Sequence, residues 1–366
     1  MEIKRKKVIV GLSGGIDSSM AATLLKEQGY DVVGVFLHFW KEPSQNKNFE
    51  NKCCSLESQQ DARKIAQILD IPFYVVNVAK EFKKEVVDDF LKEIKAGQTP
   101  NPCVVCNKKI KFKILFKKML EMKAAFVATG HYAKIQKINK KYHLYPASDS
   151  EKDQAYFLYN LSQKQLGKIL FPLGPYKKTE IKKMAKKRNL PVFNKAESQN
   201  LCFTSEKSPN GFIRRNLALS SGDIILPNGQ KIGQHEGLEL YTIGQRKGIN
   251  IGGTGPYYVA KRDFQKNQLI VTNNEKDENI CQKNMQVKIT NWVIKEPKLP
   301  AKIKVKIRYR SHEIDCILKR KKVTNSKKQG IIEVEFLKPQ KAVTPGQSAV
   351  FYGNKGEILG GGTILN

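Results

Sequence analysis

The sequence predicts an α/β domain built on a parallel sheet, followed by a small β-rich domain and then by a C-terminal β-barrel. Strand-like and helix-like patterns alternate over roughly the first 130 residues. Such repeated βαβ units imply a parallel sheet with helices on both faces. After about Thr204 the long helical patterns stop, and short strands separated by glycine-containing turns follow.

The elements of the first half are predicted in order along the chain. Apolar runs predict strands at Val8–Leu12, Val32–Phe39, Phe73–Val78 and Ala125–Thr129. Helical spacing predicts helices near Asp17–Gln28, Ser58–Leu69, Phe82–Ile94 and Lys108–Met122, and a Lys-rich helical stretch over Asp153–Leu190. Because ligands of such sheets gather at the carboxyl ends of the strands, we expect the functional groups there.

The second half is predicted to contain two β units. Short strands are expected at Gly222–Leu226, Tyr257–Arg262, Leu269–Thr272, Val287–Trp292, Ile303–Tyr309, Ile331–Phe336 and Ser348–Phe351. Turns such as PNGQ and YGNKG separate them, and a joint is expected near Glu278–Lys283. The domains are therefore expected at residues 1–204, 205–282 and 283–366.

The net charge of +31, from 65 basic and 34 acidic residues, predicts a polyanionic partner. Nucleic acid is the commonest one, although a merely solvated basic surface is the alternative. No apolar run could span a bilayer, and the N-terminal strand leaves no room for a signal peptide. A cytoplasmic protein without a membrane partner is expected, in which the seven cysteines serve as thiols, metal ligands or catalysts.

A glycine-rich loop, GLSGGIDS at residues 11–18, joins the first predicted strand to the first helix. Glycines let the backbone approach a phosphate, and Ser13 and Ser18 add hydroxyl donors. Asp17 fits a magnesium ion carried by that phosphate. The loop lacks the lysine of a P-loop and the G-x-G-x-x-G of a dinucleotide fold. The alternative is a glycine turn in which Asp17 or Ser18 caps the helix.

The stretch TPNPCVVCNKKIKF, residues 99–112, predicts an irregular loop followed by a basic helix beginning near Asn107. Cys106 would then lie at a helix N-terminus beside lysines, where the pKa of a thiol is lowered. Cys103 and Cys106 also form a C-x-x-C. Together with Cys53 and Cys54 this pair could bind zinc, and a thioredoxin-like redox pair is a further alternative.

Two other features concern reactivity and nucleic acid. Cys202 lies alone in the polar segment SQNLCFTS, where a single cysteine is most often inert. Further on, cations alternate with apolar residues, so that a strand would put five of them on one face suited to a phosphate backbone: Lys302, Lys304, Lys306, Arg308 and Arg310. A solvated strand face is the alternative.

The string SGGxDS resembles the pyrophosphatase loop of the Rossmann-like N-type ATP pyrophosphatases of the HUP class, which split ATP between its α and β phosphates. Taken in order, the motifs resemble those of the bacterial tRNA-specific 2-thiouridylases, the MnmA/TrmU family, nearly from end to end. They are GLSGGIDSS, CCS, TPNPCVVCNKKIKF, TGHYA, KDQAYFLY, LCF, YTIGQRKG, RYR, TPGQSAVFY and LGGGTI.

The resemblance implies ATP-dependent 2-thiolation of the wobble uridine, position 34, in tRNAs of the Lys, Glu and Gln type. ATP with Mg²⁺ would adenylate the C2 oxygen. Cys202 would carry sulfur as a persulfide received from a cysteine desulfurase or a sulfur-relay protein. Cys106 would be the nucleophile that resolves the persulfide, leaving a transient Cys106–Cys202 disulfide. No zinc or iron–sulfur cluster is expected.

The same resemblance assigns individual residues. The ATP contacts are Gly11, Leu12, Ser13, Gly14, Gly15, Ile16, Asp17, Ser18, Leu37 and Gly130, with Asp17 acting through the bound Mg²⁺. The target-base pocket is Asn101, Pro102 and Cys103, and the tRNA contacts are His131, Lys152, Asp153, Gln154, Arg308, Tyr309 and Gln347. Some family members carry Asp at the position of Cys103, so an acid–base role is not transferred to this thiol. The alternatives are another N-type ATP pyrophosphatase, such as a different tRNA thiolase, and a non-catalytic RNA-binding protein.

Overall fold

The computed structural model describes residues 5–42, 55–195, 201–204, 208–249, 251–252, 256–320 and 330–365. Its helices are α1 (Ile16–Glu27), α2 (Leu56–Ile68), α3 (Ala79–Phe82), α4 (Asp88–Lys95), α5 (Pro102–Cys106), α6 (Phe112–Glu121), α7 (Gln163–Leu166), α8 (Lys178–Lys187) and α9 (Asn210–Asn216). π-helical turns lie at Lys83–Val87 and Asn107–Lys111, and 3₁₀ turns at Ala155–Leu158 and Leu238–Leu240.

The strands begin with β1 (Lys7–Gly11), β2 (Asp31–His38), β3 (Phe73–Asn77), β4 (Phe126–Ala128), β5 (Lys134–Ile138), β6 (Lys141–Tyr145) and β7 (Ile169–Leu170). The later ones are β8 (Gly222–Ile225), β9 (Lys231–His235), β10 (Tyr258–Asp263), β11 (Gln268–Thr272), β12 (Cys281–Trp292), β13 (Ala301–Lys306), β14 (Ile314–Arg320), β15 (Ile331–Lys341), β16 (Ser348–Tyr352) and β17 (Ile358–Ile364).

Five of the described strands form a parallel sheet in the order β3-β2-β1-β4-β7. The inner strand β1 is apolar on both faces because helices cover both. Val8 and Val10 pack with residues of α1 and α2, whereas Ile9 packs with Leu115 of α6. The direction of chain progression reverses between β1 and β4, and sheets of this kind bind ligands outside the carboxyl ends at such a point. The predicted α/β domain is confirmed.

Four described strands form a mixed central sheet, β10-β11-β8-β9, in which only the β11–β8 pairing is parallel. Its apolar core is continuous with that of the first domain. The Phe90 ring of α4 lies 5.4 Å from Phe203 and 6.3 Å from Phe212, measured between ring centroids. The small β domain is therefore packed directly on the helices that flank the predicted cysteine loop.

Six described strands close into an antiparallel barrel, because β12 pairs with both β15 and β17 while β14, β13 and β16 complete the ring. A hairpin from the first half of the chain extends this sheet. Leu144 of β6 is the register partner of Ile358 of β17, and β5 pairs with the other side of β6. The predicted C-terminal barrel is confirmed, and the first domain contributes two strands to its sheet.

The structure corrects three sequence expectations. The helix predicted near Lys108–Met122 begins at Pro102 and runs through a π-helical turn to Glu121. The stretch Asp153–Leu190 is not one helix but a 3₁₀ turn, α7, β7 and α8 in succession. The strand predicted over Ile303–Tyr309 ends at Lys306, so Arg308 and Arg310 do not extend its cationic face.

Other elements were not predicted from the sequence, and they include β5, β6, β9, β14, β17 and α9. Cys53 and Cys54 lie outside the described residues. Within the part of the chain that the structure describes, every helix is too short or too polar to cross a bilayer.

Candidate active site

A cavity of about 220 Å³ opens at the carboxyl edge of the parallel sheet. The loop after β1, the end of β2 and the segment after β4 all contribute to its wall. Seven residues of the predicted nucleotide set line it, namely Gly11, Leu12, Ser13, Asp17, Ser18, Leu37 and Gly130. Gly14, Gly15 and Ile16 belong to the same loop. The predicted nucleotide residues are thus gathered at the switch point of the sheet.

Local hydrogen bonds hold the loop itself. The Ser18 hydroxyl accepts from the Ser13 backbone N–H at 3.0 Å and donates to the Gly15 carbonyl at 3.1 Å. The two hydroxyl oxygens of Ser13 and Ser18 are 3.1 Å apart. Gly15 is the N-cap of α1 and no side chain caps it, which leaves the first-turn N–H groups to an anion. The alternative in which Asp17 or Ser18 caps the helix is therefore wrong.

Two glycines let backbone segments approach this loop closely. Gly14 has φ of +71°, and a Cβ there would lie 2.1 Å from the Ser58 carbonyl oxygen of α2. At Gly130 a Cβ would lie 2.7 Å from the carbonyl carbon of Asp17 and from the backbone nitrogen of Ser18. Any larger residue would push the loop away from α2 or from the segment after β4.

Asp17 is held by two partners from distant segments. The Lys178 ammonium lies 2.6 Å from its Oδ1 and 2.7 Å from its Oδ2. The Tyr132 hydroxyl donates to Oδ1 at 2.8 Å. Lys178 opens α8, and its side chain is only 7% exposed, whereas that of Asp17 is 33% exposed at the cavity. A carboxylate, a phenol and a buried ammonium thus form one cluster at the nucleotide loop.

His131 lines the cavity instead of pointing away from it. Its Nδ1 lies 2.8 Å from the Thr129 hydroxyl, and its ring stacks on Phe112 of α6 with centroids 6.0 Å apart. Burial, and then the charge of Lys111, lower the pKa of His131 to about 3. The imidazole is therefore neutral at physiological pH, and it lies between the nucleotide loop and the helix that follows Cys106.

The thiol helix, defined here as residues 102–121, begins with a proline at its first position. The Asn101 side chain accepts from the Val104 backbone N–H at 3.5 Å and so serves as the N-cap. Cys103 is exposed in the first turn, and Cys106 is buried in the second. Cys106 is therefore inside a helix rather than at the start of one, because the helix begins at Pro102, five residues before the start predicted near Asn107.

The loop that enters this helix, residues 97–101, is held by both β domains. Arg262 of the central sheet donates to the Gly97 carbonyl at 2.6 Å and to the Tyr241 carbonyl at 2.9 Å. From the barrel side, Gln347 donates to the carbonyls of Thr99 at 2.9 Å and of Pro100 at 3.3 Å. The three domains therefore meet at the residues that precede Cys103 and Cys106.

Cys202 is half-buried in a turn over residues 201–204. Phe203 is fully buried among aromatic rings of the first two domains and fixes this turn. Cys202 packs against the same apolar cluster that contains Cys106. Both thiols of the predicted pair thus border one cluster, and the disulfide between them stays a prediction.

The predicted tRNA contacts fall into two groups. In the first group, the polar side chains are hydrogen-bonded to the protein's own backbone. Arg308 donates to the carbonyls of Ile243 and Ala342, at 3.1 Å each, and burial lowers its pKa. The Asp153 carboxylate is buried and accepts from the backbone N–H groups of Ala147 and Ala155, at 2.9 and 3.2 Å, and burial raises its pKa. Both side chains organise the protein in this structure, and their contact with tRNA stays a prediction.

The second group lies nearer the cavity and the thiol helix. The Gln154 side chain accepts from the Tyr132 backbone N–H at 3.1 Å and lines the cavity. The Tyr309 ring packs against Phe157 with centroids 4.4 Å apart and ring planes tilted by 42°, and burial raises the pKa of Tyr309. Lys152 is half-buried in the turn beside Asp153. Of these groups, Tyr309 lies near enough to Cys103 for the charge of the thiolate to raise its pKa further.

Sequence reasoning missed three residues of the site. Lys178 and Arg262 carry no motif that separates them from the 65 basic residues of the chain, and only the fold reveals their partners. Lys111 was counted among the basic residues after Cys106, yet it lines the nucleotide cavity. A helix-period reading that started at Pro102 would have put Lys111 on the same helix as Cys106.

Metal binding by the protein alone has no support among the described residues, where no three His, Cys, Asp or Glu side chains form a candidate ligand group. The zinc alternative needs Cys53 and Cys54, which lie outside them. Asp17 remains the acidic group suited to a magnesium ion brought by ATP.

Three domain families match the chain in sequence. They are described as a tRNA methyl transferase HUP domain at residues 6–206, a tRNA methyl transferase PRC-barrel domain at 210–273 and an aminomethyltransferase β-barrel domain at 282–364. Among solved structures, NMN synthetase from Francisella tularensis is 21% identical, covers 53% of this chain and 66% of its own, and has a TM-score of 0.32. Similarity at that level carries no argument about function.

Curated relatives match over nearly the full length of both chains. The tRNA-specific 2-thiouridylase MnmA of Clostridium kluyveri is 41% identical over 364 residues, 99% of each chain. MnmA 2 of Thermoanaerobacter sp. strain X514 is 42% identical over 373 residues, 100% of this chain and 99% of its own. The Shouchella clausii MnmA is 41% identical, covering 98% and 96%. The chain therefore belongs to the family of tRNA-specific 2-thiouridylases, MnmA.

Proposed function

We propose that this protein is the ATP-dependent enzyme that thiolates carbon 2 of the wobble uridine, position 34, in tRNAs of the Lys, Glu and Gln type. One observation carries the proposal. Lys111 and Leu115, on the helix that contains Cys106, line the same cavity as the nucleotide loop. ATP activation and thiol chemistry can therefore act on one base bound between them.

The first step is adenylation of the base. The uridine C2 oxygen attacks the α-phosphate of MgATP, and pyrophosphate leaves from the loop at residues 11–18. First-turn N–H groups of α1 and the Ser13 hydroxyl stabilise the phosphate charge, while the Ser18 hydroxyl holds the loop through the Gly15 carbonyl. The carbonyl oxygen becomes part of a phosphoester, which is a far better leaving group than oxide.

The second step transfers sulfur. Cys202 bears a persulfide, whose terminal sulfur attacks carbon 2 as AMP leaves with the former carbonyl oxygen. The Cys106 thiolate then attacks the Cys202 sulfur and breaks the S–S bond. Sulfur stays on the base, a Cys106–Cys202 disulfide forms, and an external thiol reduces it. In the variant pathway, Cys106 first frees the terminal sulfur as sulfide, which then attacks carbon 2.

The remaining assignments belong to the same proposal. A cysteine desulfurase or a sulfur-relay protein loads Cys202. The base pocket is formed by Asn101, Pro102 and Cys103, and tRNA contacts His131, Lys152, Asp153, Gln154, Arg308, Tyr309 and Gln347. The protein works in the cytoplasm, with functional units at 1–204, 205–282 and 283–366. The basic surface offsets the cost of taking the base out of the anticodon stack.

A thiolation assay tests the proposal directly. Unmodified tRNA is incubated with MgATP and a persulfide donor, and thiolated tRNA is detected by its retarded migration in a mercury-containing gel. We expect retardation with the wild type and none with Cys106→Ser or Cys202→Ser. Cys281→Ser, at the start of β12, is the matched control and keeps activity.

Two further results test the sulfur transfer and decide between the alternatives. Free sulfide should restore thiolation to both Cys202→Ser and Cys106→Ser, because it bypasses the persulfide that Cys202 carries and Cys106 resolves. Rescue of Cys202→Ser alone would show that Cys106 has a further role and would contradict the sulfur transfer as written. If the wild type binds tRNA but converts no ATP to AMP and pyrophosphate with any donor, the protein is a non-catalytic RNA-binding member of the family. In that case the proposed function is wrong.

A further inference from the structure

A buried lysine lies directly behind Asp17, a lining residue of the nucleotide cavity, although the phosphate loop itself contains no lysine. The Lys178 side chain is 7% exposed, and its ammonium contacts both carboxylate oxygens of Asp17, at 2.6 and 2.7 Å. The same ammonium lies 5.8 Å from the centroid of the Tyr132 ring. Asp17 lines the cavity, so one carboxylate separates Lys178 from the position of a bound anion.

This location is unfavourable for an ammonium group on two counts. Burial removes its hydration, which costs several kcal/mol unless a partner offsets the loss. In addition, Lys178 lies in the first turn of α8, where the helix dipole disfavours a cation. Its backbone N–H is fixed by the Asp149 carboxylate at 2.8 Å, so the residue cannot withdraw from this turn. An apolar residue would fill the position at lower cost if packing were its only role.

The chemistry of the loop requires a cation that the loop itself lacks. Splitting ATP between its α and β phosphates develops negative charge on pyrophosphate, and preorganised cations are the strongest means of stabilising it. A carboxylate that pairs with an ammonium is also a ligand that Mg²⁺ prefers, so Mg²⁺ brought by ATP competes with Lys178 for Asp17. Asp17 is the group that touches Lys178 and also faces the cavity.

We propose that Lys178 is the pyrophosphate-binding cation of this site and that Asp17 stores it until MgATP arrives. The Mg²⁺ carried by ATP takes over the Asp17 carboxylate, and the released ammonium neutralises the β-phosphate oxygens. Tyr132, which donates to Asp17 at 2.8 Å, keeps the carboxylate in place during this exchange. The inference rests on the proposed function in one respect, namely that ATP is cleaved between its α and β phosphates.

Equilibrium binding without tRNA tests the inference separately from thiolation. Isothermal titration calorimetry compares MgATP, magnesium pyrophosphate and AMP on the wild type, Lys178→Met and Lys178→Arg. Lys183→Met, on the exposed side of α8, removes the same charge and is the matched control. Thermal unfolding and circular dichroism of each variant establish that it is folded at the temperature of the titration.

We expect Lys178→Met to weaken MgATP and magnesium pyrophosphate by at least about 30-fold while AMP changes by less than about threefold, since AMP has no β-phosphate. Lys178→Arg keeps the charge and recovers part of the affinity. Lys183→Met behaves as the wild type. If Lys178 only joins α1 to α8, Lys178→Met should lower all three affinities by one common factor or leave them unchanged in the folded variant. Either result overturns the inference.

The inference and the proposed function fail in different ways. A wild type that binds MgATP but never thiolates tRNA contradicts the proposed function and leaves the role of Lys178 in phosphate binding intact. A Lys178→Met protein with an unchanged ratio of MgATP to AMP affinity contradicts only the inference.

Discussion

Two loops at the same edge of the first domain are stabilised in opposite ways. The backbone turn of the nucleotide loop, residues 11–18, is held by local hydrogen bonds through Ser13, Ser18 and the Gly15 carbonyl, whereas the Asp17 side chain bonds to distant segments. The loop at 97–101 that enters the thiol helix has its carbonyls bound by side chains of the other two domains, Arg262 and Gln347. The shape of the phosphate loop is therefore encoded in a local motif, whereas the loop that leads to Cys103 and Cys106 depends on the assembly of all three domains.

This difference has a functional meaning. A phosphate-binding loop must be ready before any substrate arrives, and a short rigid motif achieves that. Thiols that handle a persulfide should instead be active only when tRNA is in place. A loop held by the barrel and the central sheet depends on how those two domains pack on the first one. The predictions below test the separation, beginning with the largest expected effect.

Gly14→Ala should disrupt the nucleotide loop and leave the loop at 97–101 intact. The added Cβ would lie 2.1 Å from the Ser58 carbonyl at φ of +71°, so the loop must leave its position. We expect a loss of magnesium pyrophosphate affinity of at least about 100-fold, equivalent to about 3 kcal/mol, while tRNA affinity changes by less than about threefold. Titration calorimetry and filter binding measure the two affinities.

Gly233→Ala in β9 is the control, because its Cβ meets only ordinary contacts, the nearest at 3.7 Å. It should leave both affinities unchanged. An equal loss of tRNA and pyrophosphate binding in Gly14→Ala would show that the nucleotide loop is not independent of the tRNA-binding surface.

Arg262→Met should affect only the loop at 97–101 that enters the thiol helix. It removes the donor to the Gly97 and Tyr241 carbonyls, and burial lowers the pKa of this guanidinium to about 10, as expected for a charge set inside the protein. We expect kcat for thiolation to fall about 10- to 100-fold, since each unsatisfied carbonyl costs about 1–3 kcal/mol and lets the loop shift. Affinity for magnesium pyrophosphate should not change.

The matched control is Arg214→Met, which removes an exposed cation of α9 paired with Glu236 at 2.8 Å. It should keep kcat within about twofold of the wild type. A drop in pyrophosphate affinity with Arg262→Met would mean that the two loops are coupled, contrary to the separation described above.

His131 lies between the nucleotide loop and the thiol helix, and it should make the free energy of unfolding depend on pH. Its pKa is about 3 in the folded protein and near 6.5 when unfolded, so the unfolded state binds the extra proton between these values. The stability contribution is fully present above pH 6.5 and is lost as pH falls, by up to about 1.4 kcal/mol per pH unit. Urea unfolding at pH 7.5, 6 and 5 measures it.

His131→Asn should show a flatter dependence than the wild type over this range, because asparagine does not titrate. Identical slopes for the two proteins would mean that the imidazole is solvated and charged in the folded state, and that it does not separate the nucleotide loop from the thiol helix as a neutral spacer.

Lys302→Gln should have the smallest effect. Lys302 is exposed on β13 and belongs to the part of the predicted cationic face that the structure retains. If it contacts a phosphate, the slope of log K for tRNA against log salt should decrease by about 1, with a few-fold loss of affinity. An unchanged slope removes this face of the barrel from the tRNA interface. The affinity for magnesium pyrophosphate should not change with Lys302→Gln.

What the sequence could predict follows from the distance between interacting residues. Gly11–Ser18 forms a contiguous motif, Leu37 lies near the end of β2, and Gly130 follows β4. Because the carboxyl ends of these parallel strands meet at one edge, the nucleotide cavity was predictable. The contacts of Arg262 with Gly97, Lys178 with Asp17 and Gln347 with Thr99 span 165, 161 and 248 positions. No local pattern encodes such pairs, because their partners are mostly backbone carbonyls or common side chains.

Missed strands have a different physical origin. The segment of β17, ILGGGTI, has the composition of a turn, yet its glycines are required by close packing in the barrel. A Cβ at Gly362 would lie 2.2 Å from the Lys288 carbonyl oxygen of β12. Glycine in a strand indicates a close backbone approach as often as it indicates a bend, and composition alone does not distinguish them.

Because β6 pairs with β17, the structural units of the protein do not follow the order of their segments along the chain. The hairpin at residues 134–145 is encoded within the first domain but completes the sheet of the last. A chimaera that exchanged the C-terminal half at residue 204 would confront Leu144 with a foreign partner in place of Ile358. Recombination that preserves the interface must therefore carry this hairpin together with the barrel, so the two segments are expected to be inherited as one unit.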